Sequence, residues 1–370
     1  MAISGKKAIL AAGLAAICLS GCASLGYYWQ SVSGHLQMVN AARPVNDWLA
    51  DTQAPATLKA RLQLSQRIRS FAVNELKLPD NPSYRSYADL RRSAVVWNVV
   101  AAPEFSLTLK TWCFPVTGCV GYRGYFAEHE TRAEAEQLRQ QGLEVSVYGV
   151  PAYSTLGWMN WAGGDPLLNT FIAYPEGELA RLIFHELAHQ VVYAKDDTMF
   201  NESFATAVER LGSQRWLEAQ SRQGQDSPRS EYAVFDGRRQ QFRALTAATR
   251  RELTAIYEKK DAKSQSIRAQ KATKSIAKIE VMKSFRDEYA RLREAWGGFA
   301  GYDLWVARAN NASFGAQAAY DELVPGFDAL FEREGRDWQR FYAAVRQLAD
   351  RPKDERHRVL TLNNLETPNG

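Results

Sequence analysis

The chain has 370 residues, of which 46% are hydrophobic, 24% charged and 11% aromatic. These fractions are typical of globular proteins, and they exclude a wholly disordered chain, a collagen and a coiled-coil rod. The mean hydropathy of −0.38 excludes a protein with many membrane-spanning helices. At about 150 residues per domain, the length allows two domains or one large domain with a helical extension.

The first 21 residues have the pattern of a secretory leader. Lys6 and Lys7 precede an apolar run over residues 8–19, which is too short to span a bilayer stably. The run and the small residues before Cys22 resemble a bacterial lipoprotein signal peptide, which implies cleavage before Cys22 and attachment of a lipid to it. An uncleaved apolar anchor is the alternative. Both interpretations place the chain at a membrane, facing the periplasm.

The residues after Cys22 and the net charge bear on location and partners. Ala23 and Ser24 follow Cys22, and the resemblance to sorted lipoproteins that lack an aspartate there implies the outer membrane. The formal net charge is +5 at pH 7, and removal of the two leader lysines lowers it to +3. A charge this small gives no reason to expect a nucleic-acid partner.

Helical and strand-like patterns divide the mature chain into three parts. Residues 22–80 have apolar residues at helical spacing, residues 81–225 contain short strand-like runs and one strongly apolar helix, and residues 226–370 are mostly helical in pattern. We therefore expect a helix-rich α+β fold, in which a central core with a small mixed sheet is flanked by N- and C-terminal helical regions.

Residues 250–286 form a basic segment within the last of these parts. Eleven lysines or arginines stand against four acidic residues there, and the segment contains no glycine or proline. This composition predicts a long solvated helix. A contact with lipid headgroups or with the cell envelope is the alternative role of the segment.

The four cysteines indicate one disulfide. Cys18 leaves with the leader and Cys22 is expected to carry the lipid, so Cys113 and Cys119 remain in an oxidising compartment. A proline and a glycine between them allow the chain to turn back and bring the two sulfur atoms together. We predict a Cys113–Cys119 disulfide that shapes a local turn, with reactive or metal-bound cysteines as the alternative.

The most informative motif is a pair of histidines four residues apart, His185 and His189, with Glu186 directly after the first. On a helix this HExxH spacing places both imidazoles on one face. The neighbouring side chains are largely apolar, which predicts a buried helix, and burying imidazoles and a carboxylate without partners is costly. One zinc ion per chain is the expected partner, with a structural histidine pair as the alternative.

A catalytic zinc site needs a third protein ligand, and the sequence offers Glu202. The helix continues for about five residues beyond His189 before a polar break at residues 195–198, after which a second helix begins. A short turn there would bring the second helix back antiparallel, with Glu202 facing the metal. The rivals for this role are Asp196, Asp197 and Glu209.

Four further residues are candidates for supporting roles. Asn201 is a candidate cap of the second helix, and Thr206 lies one turn beyond Glu202. An oxyanion partner in such sites is usually a tyrosine or histidine from another element, and Tyr153 and Tyr320 are nominated from sixteen tyrosines. Ordinary core or surface packing is the alternative for both tyrosines.

The motif and its surroundings resemble two groups of proteins. Residues 185–190 with residues 201–205 resemble the gluzincin metallopeptidases, including the aminopeptidase N and thermolysin families, in which HExxH and a later glutamate bind zinc. Twelve residues separate His189 from Glu202, fewer than in either family, so the connection must be shorter. A bacterial lipoprotein family described as predicted aminopeptidases is the closer match, over residues 83–89, 95–106, 113–126 and 149–158.

The resemblance implies a zincin-like core and a zinc metallopeptidase acting on peptides, with Glu186 as the general base toward a zinc-activated water. It also implies an edge strand before the metal helix that pairs with the substrate backbone, with an interior turn as the alternative. The candidate residues are Gly149, Val150, Pro151, Ala152, Tyr153 and Ser154. Two other functions stay open: a non-catalytic binding or structural lipoprotein of the envelope, and an endopeptidase or amidase on cell-wall peptides.

The disulfide predicts the thiol content of the mature protein. Denatured protein should show no free thiol before reduction and two after it, because Cys113 and Cys119 are paired and Cys22 is blocked by its lipid. Counting thiols with a chromogenic reagent checks this. Two reactive thiols without reduction would instead support reactive or metal-bound cysteines.

Overall fold

A computed structural model of the chain describes residues 26–114, 117–259 and 267–365. The predicted leader over residues 1–21 and the predicted lipid site, Cys22, lie outside these ranges. The fold is helix-rich α+β with small sheets, as the sequence predicts. None of the helices in the described ranges is both long enough and apolar enough to cross a membrane.

The N-terminal region is helical. Helix α1 spans residues 26–41, α2 spans Val45–Ala50 and α3 spans Ala56–Asn74. A proline lies directly before α2 and another before α3, at positions where the missing N–H is not needed for an intrahelical hydrogen bond. Apolar residues of α3 at helical spacing, among them Leu62 and Ile68, are fully buried and join this region to the main core.

In the described ranges, eight short strands form three small sheets. The strands are β1 (Arg43–Pro44), β2 (Ser86–Ala88), β3 (Val96–Pro103), β4 (Trp112–Phe114), β5 (Gly118–Val120), β6 (Arg123–Tyr125), β7 (Leu143–Val150) and β8 (Leu167–Leu168). The first sheet has the order β1-β2-β8 and is mixed, the second has the antiparallel order β6-β3-β7, and β4 and β5 pair as a hairpin.

The β6-β3-β7 sheet is covered on both faces. Helix α4 (Glu128–Gln140) packs on one face, where Ala135 and Leu138 share a buried cluster with Val99. The next residue along β3, Val100, points to the other face and packs with Ala312 of α10 (Asn311–Asp321). This alternation along β3 follows from the two-residue period of a strand, and it explains why residues 94–101 are apolar except for Asn98.

Helices make up the rest of the fold. They are α5 (Glu176–Ala188), α6 (Thr198–Arg222), α7 (Ser227–Glu258), α8 (Ile267–Ala295), α9 (Asp303–Arg308), α11 (Val324–Arg333), α12 (Trp338–Ala349) and α13 (Lys353–Leu365). The main core lies between α3, α5, α6, α11 and α12, and its centre includes Phe184, Phe204 and Phe341.

The single helix predicted over the basic segment is wrong. Helix α7 ends at Glu258 and α8 begins at Ile267, and the pairings of Phe242 with Tyr289 and of Tyr257 with Lys274 show that the two helices run antiparallel. The physical reason is that both helices carry an apolar stripe, which folding back buries in a common cluster around Phe285. Arg251, Lys271 and Lys283 are exposed on this pair of helices, whereas Arg250 and Lys278 form ion pairs with Glu322 and Glu144.

A buried carboxylate ties α13 to the start of α6. Asp197 caps α6 by accepting a hydrogen bond from the N–H of Phe200, at 3.2 Å. It also accepts hydrogen bonds from Arg356 Nε at 2.7 Å and from His357 Nε2 at 2.8 Å. Burial opposes ionisation of Asp197, but these hydrogen bonds outweigh it and lower its pKa.

The Asp197→Ala variant should be less stable than the native protein by roughly 3 kcal/mol, because it removes a helix cap and leaves Arg356 buried without its anion. Denaturant unfolding measures the loss. Asp354→Ala removes an exposed carboxylate of α13 and is the matched control, expected within about 0.5 kcal/mol of the native protein.

The stabilisation by Asp197 should also depend on pH. Its folded pKa is lowered, so the contribution is present above the unfolded value of about 3.9 and is lost as the pH falls through the folded value. Equal stabilities for Asp197→Ala and Asp354→Ala would contradict this account of the cluster.

Candidate metal centre

The site lies where α5 and α6 pack against each other. Contacts of His185 with Glu202 and of Arg181 with Glu209 show that the two helices run antiparallel. Apolar side chains of α5, including Ile183 and Leu187, are fully buried on the remaining sides of the helix. The polar side chains of the helix therefore lie on the sides that face α6, α7 and the cleft, where Arg181 pairs with Glu209 and Glu178 pairs with Arg239.

Three side chains bring their ligand atoms together. The Nε2 atoms of His185 and His189 lie 3.2 Å apart. Glu202 Oε2 lies 3.3 Å from the Nε2 atom of His185 and 3.6 Å from that of His189. Ligand atoms bonded to one zinc ion at about 2.0–2.1 Å in a tetrahedron lie roughly 3.3–3.4 Å apart. The spacing therefore suits one small cation between the three side chains.

Glu209 lies on the other side of the His185 ring. Its Oε2 atom is 2.9 Å from His185 Nδ1, and its Oε1 atom accepts a hydrogen bond from Arg181 Nε at 2.7 Å. When a cation takes the place of the Nε2 proton, this carboxylate would keep the remaining proton of the ring on Nδ1 and the lone pair of Nε2 facing the shared cation position. Glu209, considered as a rival third ligand, is placed here to orient His185.

The charges in this cluster determine the pKa values of its members. Burial opposes the charged form of His185, but Glu202 and Glu209 outweigh it and raise its pKa to about 10. Burial also opposes ionisation of Glu209, yet Arg181 and His185 lower its pKa to about 2. The pKa of Glu202 is lowered in the same way by the two histidines, so that both carboxylates are ionised at neutral pH.

Glu186 differs from the other two carboxylates. Burial raises its pKa, and the neighbouring histidines offset this only in part. The side chain borders an open cleft next to the three converging residues. A buried carboxylate with a raised pKa accepts and releases a proton nearer neutral pH, which suits it to acid–base chemistry.

The other residues considered as ligands or as supporting residues stabilise the local fold or border the cleft. Asp197 is the cap of α6, a role considered for Asn201, and Asp196 Oδ1 accepts a hydrogen bond from the N–H of Cys119 at 2.6 Å. The amide of Asn201 instead bonds both the N–H and the C=O of Ala194, at 2.7 and 2.8 Å, and so fixes the turn between α5 and α6. Thr206 is buried and borders the cleft.

The cleft beside the cluster has a volume of about 690 Å³. Both nominated tyrosines border it, and the ring of Tyr320 stacks on His185 with centroids 6.3 Å apart. Helix α10 brings Tyr320 there because its C-terminal end is held to α6 by a hydrogen bond from Ser203 Oγ to the C=O of Ala319. Burial and the charge of Glu202 raise the pKa of Tyr320, so its hydroxyl stays protonated.

The family described as "Putative aminopeptidase" matches residues 26–360. The chain belongs to this family. The predicted resemblance to an aminopeptidase family is thereby confirmed, and family membership supports a peptidase hydrolase. No curated protein and no solved structure matches the chain.

The segment predicted as the substrate strand, residues 149–154, is extended strand only at Gly149 and Val150. Strand β7 ends at Val150, and within the described pairing it bonds only to β3, so it lies at an edge of its sheet. Residues 150–154 border the cleft, but Gly149 does not. The C=O groups of Val150 and Pro151 already accept hydrogen bonds, from the N–H of Val95 and from the hydroxyl of Thr170.

The predicted Cys113–Cys119 disulfide is present and joins β4 to β5. Phe114 and Val120 of this hairpin border the cleft. The N–H of Cys119 donates to Asp196, as described above, and the hydroxyl of Tyr193 donates to the C=O of Thr117 at 3.2 Å. The hairpin therefore braces the turn between the two metal-site helices as well as forming a wall of the cleft.

Sequence reasoning named Glu209 only as a rival ligand, and it missed both the pairing of Glu209 with Arg181 and the presence of Tyr122. Arg181 lies one turn before His185 on α5, and Glu209 lies two turns after Glu202 on α6. Both spacings keep these residues on the faces that carry the three converging side chains. Extending the same-face argument by one turn before His185 and by two turns after Glu202 would have identified the Arg181–Glu209 pair. Tyr122 also borders the cleft, and burial and the charge of Glu202 raise its pKa. No sequence pattern pointed to this residue.

The orienting role of Glu209 predicts the effect of its loss. Glu209→Gln should weaken zinc binding about 10- to 100-fold, because a neutral amide supports the ligand form of His185 less well. Competition with a chromogenic chelator measures the affinity. Glu218→Gln, on the same helix but outside the cleft, is the matched control. An affinity that is the same for both variants would show that Glu209 does not orient His185.

Proposed function

We propose that this protein is a zinc-dependent aminopeptidase held at a bacterial membrane by a lipid on Cys22. The observation that carries the proposal is the convergence of His185, His189 and Glu202, with Glu186 beside them in a cleft. Membership of an aminopeptidase family supports the class of reaction. The metal, the anchor and the mechanism are our inference.

The donor set fits zinc. His185 and His189 would hold the ion through Nε2 and Glu202 through its carboxylate, which is the two-histidine, one-glutamate composition of catalytic zinc sites with one position left open. Nε2 is the atom of His189 that faces His185 and Glu202, at 3.2 and 3.6 Å, so it is the atom of this ring that would bind the ion. When bound, zinc polarises a carbonyl oxygen and lowers the pKa of a water molecule to about 7.

The other side chains supply the proton chemistry. Glu186 accepts the proton of the attacking water and then delivers it to the nitrogen of the leaving group, because its raised pKa suits both transfers. Tyr320 can donate a hydrogen bond to the oxyanion, since burial keeps its hydroxyl protonated and its ring lies against His185. Tyr153 borders the same cleft further along and is the second candidate for this role.

Membership of the family supports a substrate with a free amino end. The acidic residues bordering the cleft are Glu178, Glu186, Glu202 and Glu209, and Arg181 is the arginine among the described side chains there. Arg239 pairs with Glu178 beside the cleft, so Arg181, Arg239 and a divalent cation would together balance the four carboxylates. The net charge of the cleft therefore does not select one end of a peptide, and the preference for a free amino end is proposed from the family alone.

The proposed location is the periplasmic side of the outer membrane. The leader pattern and the small residues around Cys22 support lipid attachment, and the residues after Cys22 support sorting outward. A disulfide in the described structure fits an oxidising compartment.

The role of Glu186 predicts a separation of catalysis from metal binding. Glu186→Gln should lower turnover of a peptide substrate by at least about 100-fold, while the zinc content stays the same, because the three ligands are unchanged. Amino acid release measures turnover, and elemental analysis measures zinc. Glu252→Gln, an exposed glutamate of α7, is the matched control and should keep full turnover. Retained turnover in Glu186→Gln would refute the assignment.

The same assay tests the substrate class with two forms of one peptide. N-terminal acetylation removes the amine and should stop cleavage by an aminopeptidase. Equal cleavage of the free and acetylated forms would favour an endopeptidase or amidase. Zinc-loaded protein that cleaves neither form would favour the non-catalytic lipoprotein.

A further inference from the structure

Helix α1 carries no formal charge. Residues 23–42 contain no lysine, arginine, aspartate or glutamate, although 24% of the chain is charged. A segment of this length and average composition would carry about five charged residues. The single histidine of the helix, His35, is buried, and burial lowers its pKa, so it is neutral at pH 7. The absence of charge is therefore complete along the helix.

One face of α1 is fixed to the protein. Gly34 packs against the ring of Phe126, so closely that a Cβ atom at residue 34 would lie 2.2 Å from the ring. The side chain of Gln30 accepts a hydrogen bond from the N–H of Phe126 at 3.0 Å. Met38 is buried in the main core. These contacts hold the orientation of the helix about its own axis.

The opposite face is apolar and exposed. Trp29, Val32 and Leu36 follow each other at helical spacing, and their exposed fractions are 72%, 54% and 50%. We refer to these three residues as the α1 stripe. Tyr28 lies beside it and is 42% exposed. Contiguous apolar side chains at the surface mark a binding face, and tryptophan and tyrosine are enriched where proteins meet the boundary of a bilayer.

The position of α1 in the chain indicates what the α1 stripe binds. The predicted lipid site, Cys22, is four residues before the helix, and four residues span at most about 14 Å. Measured along the helix axis from residue 26, Trp29 lies at about 4.5 Å and Leu36 at about 15 Å. A lipid on Cys22 thus keeps the whole stripe within reach of the surface into which that lipid inserts.

We propose that α1 docks on the lipid bilayer through Trp29, Val32 and Leu36. This inference rests on the proposed lipid anchor. Because the helix has no charge, the contact depends on buried apolar area and not on anionic lipids. Tyr27, Tyr28 and Ser31 of α1 border the metal cleft, so docking holds one rim of the cleft at the bilayer. The peptides within reach are those at the membrane surface.

The test uses the full, lipid-modified chain in vesicles of phosphatidylethanolamine and phosphatidylglycerol. A fluorophore is attached at Leu36→Cys, and Ile276→Cys is the matched control, since Ile276 is an exposed apolar residue of α8 with an exposed fraction of 61%. Phospholipid carrying a nitroxide should quench the fluorophore at residue 36 by roughly half and should leave the fluorophore at residue 276 unquenched. The quenching at residue 36 should not change with the anionic lipid content.

A second variant separates docking from simple tethering. Trp29→Glu combined with Val32→Glu places two charges on the stripe at exposed positions, so the fold should persist, and quenching at residue 36 should fall to the level of residue 276. The matched control combines Ile276→Glu with Ile279→Glu, two exposed positions of α8, and should leave quenching at residue 36 unchanged. Circular dichroism confirms that each variant is folded.

Three outcomes would overturn the proposal. Equal quenching at residues 36 and 276 in anchored protein refutes docking alone and leaves the lipid anchor and the peptidase intact. Iodide is a quencher that stays in the water. If the fluorophore at residue 36 is shielded from iodide but is not quenched by the nitroxide lipid, a second copy of the chain or another protein covers the stripe. Protein that does not sediment with vesicles refutes the anchor together with docking, while peptide turnover in the same preparation still reports on the metal site.

Discussion

The burial of charge between α5 and α6 is the constraint on which the site depends. Two imidazoles and three carboxylates lie mostly buried at one side of the cleft, where charged groups need hydrogen-bonding or oppositely charged partners. Arg181 neutralises Glu209, Glu209 orients His185, and Glu202 faces both histidines. Each contact fixes the next, so the ligand atoms are held in place by the network and not by the helix alone.

The surrounding fold serves to hold the two helices in register. Asp197 joins the start of α6 to α13, the disulfide hairpin braces the turn through Asp196, and Ser203 attaches α10. These contacts come from parts of the chain that are far apart in sequence. A site that must place three ligand atoms within a few tenths of an ångström needs this support, because a single helix end or turn would be free to shift.

The sequence predicted features that depend on local spacing. The four-residue interval places His185 and His189 on one face of any helix, and the length of the connection allowed an antiparallel return to Glu202. Features that depend on tertiary packing could not be predicted from local spacing. Glu202 and Glu209 share a face of α6, and no local rule decides which lies at Nε2 and which at Nδ1 of His185. The basic segment likewise folds back because of the cluster around Phe285, which only the packed structure shows.

We propose that His185, His189 and Glu202 bind zinc, and the other parts of the proposed function depend on this. The direct measurement is the metal content of purified protein by elemental analysis, with His189→Ala and Glu202→Ala beside the native chain. The account predicts about one zinc ion per native chain and a loss of that zinc in both variants. A native protein that binds no metal when zinc is supplied would contradict the account and make the histidine pair structural.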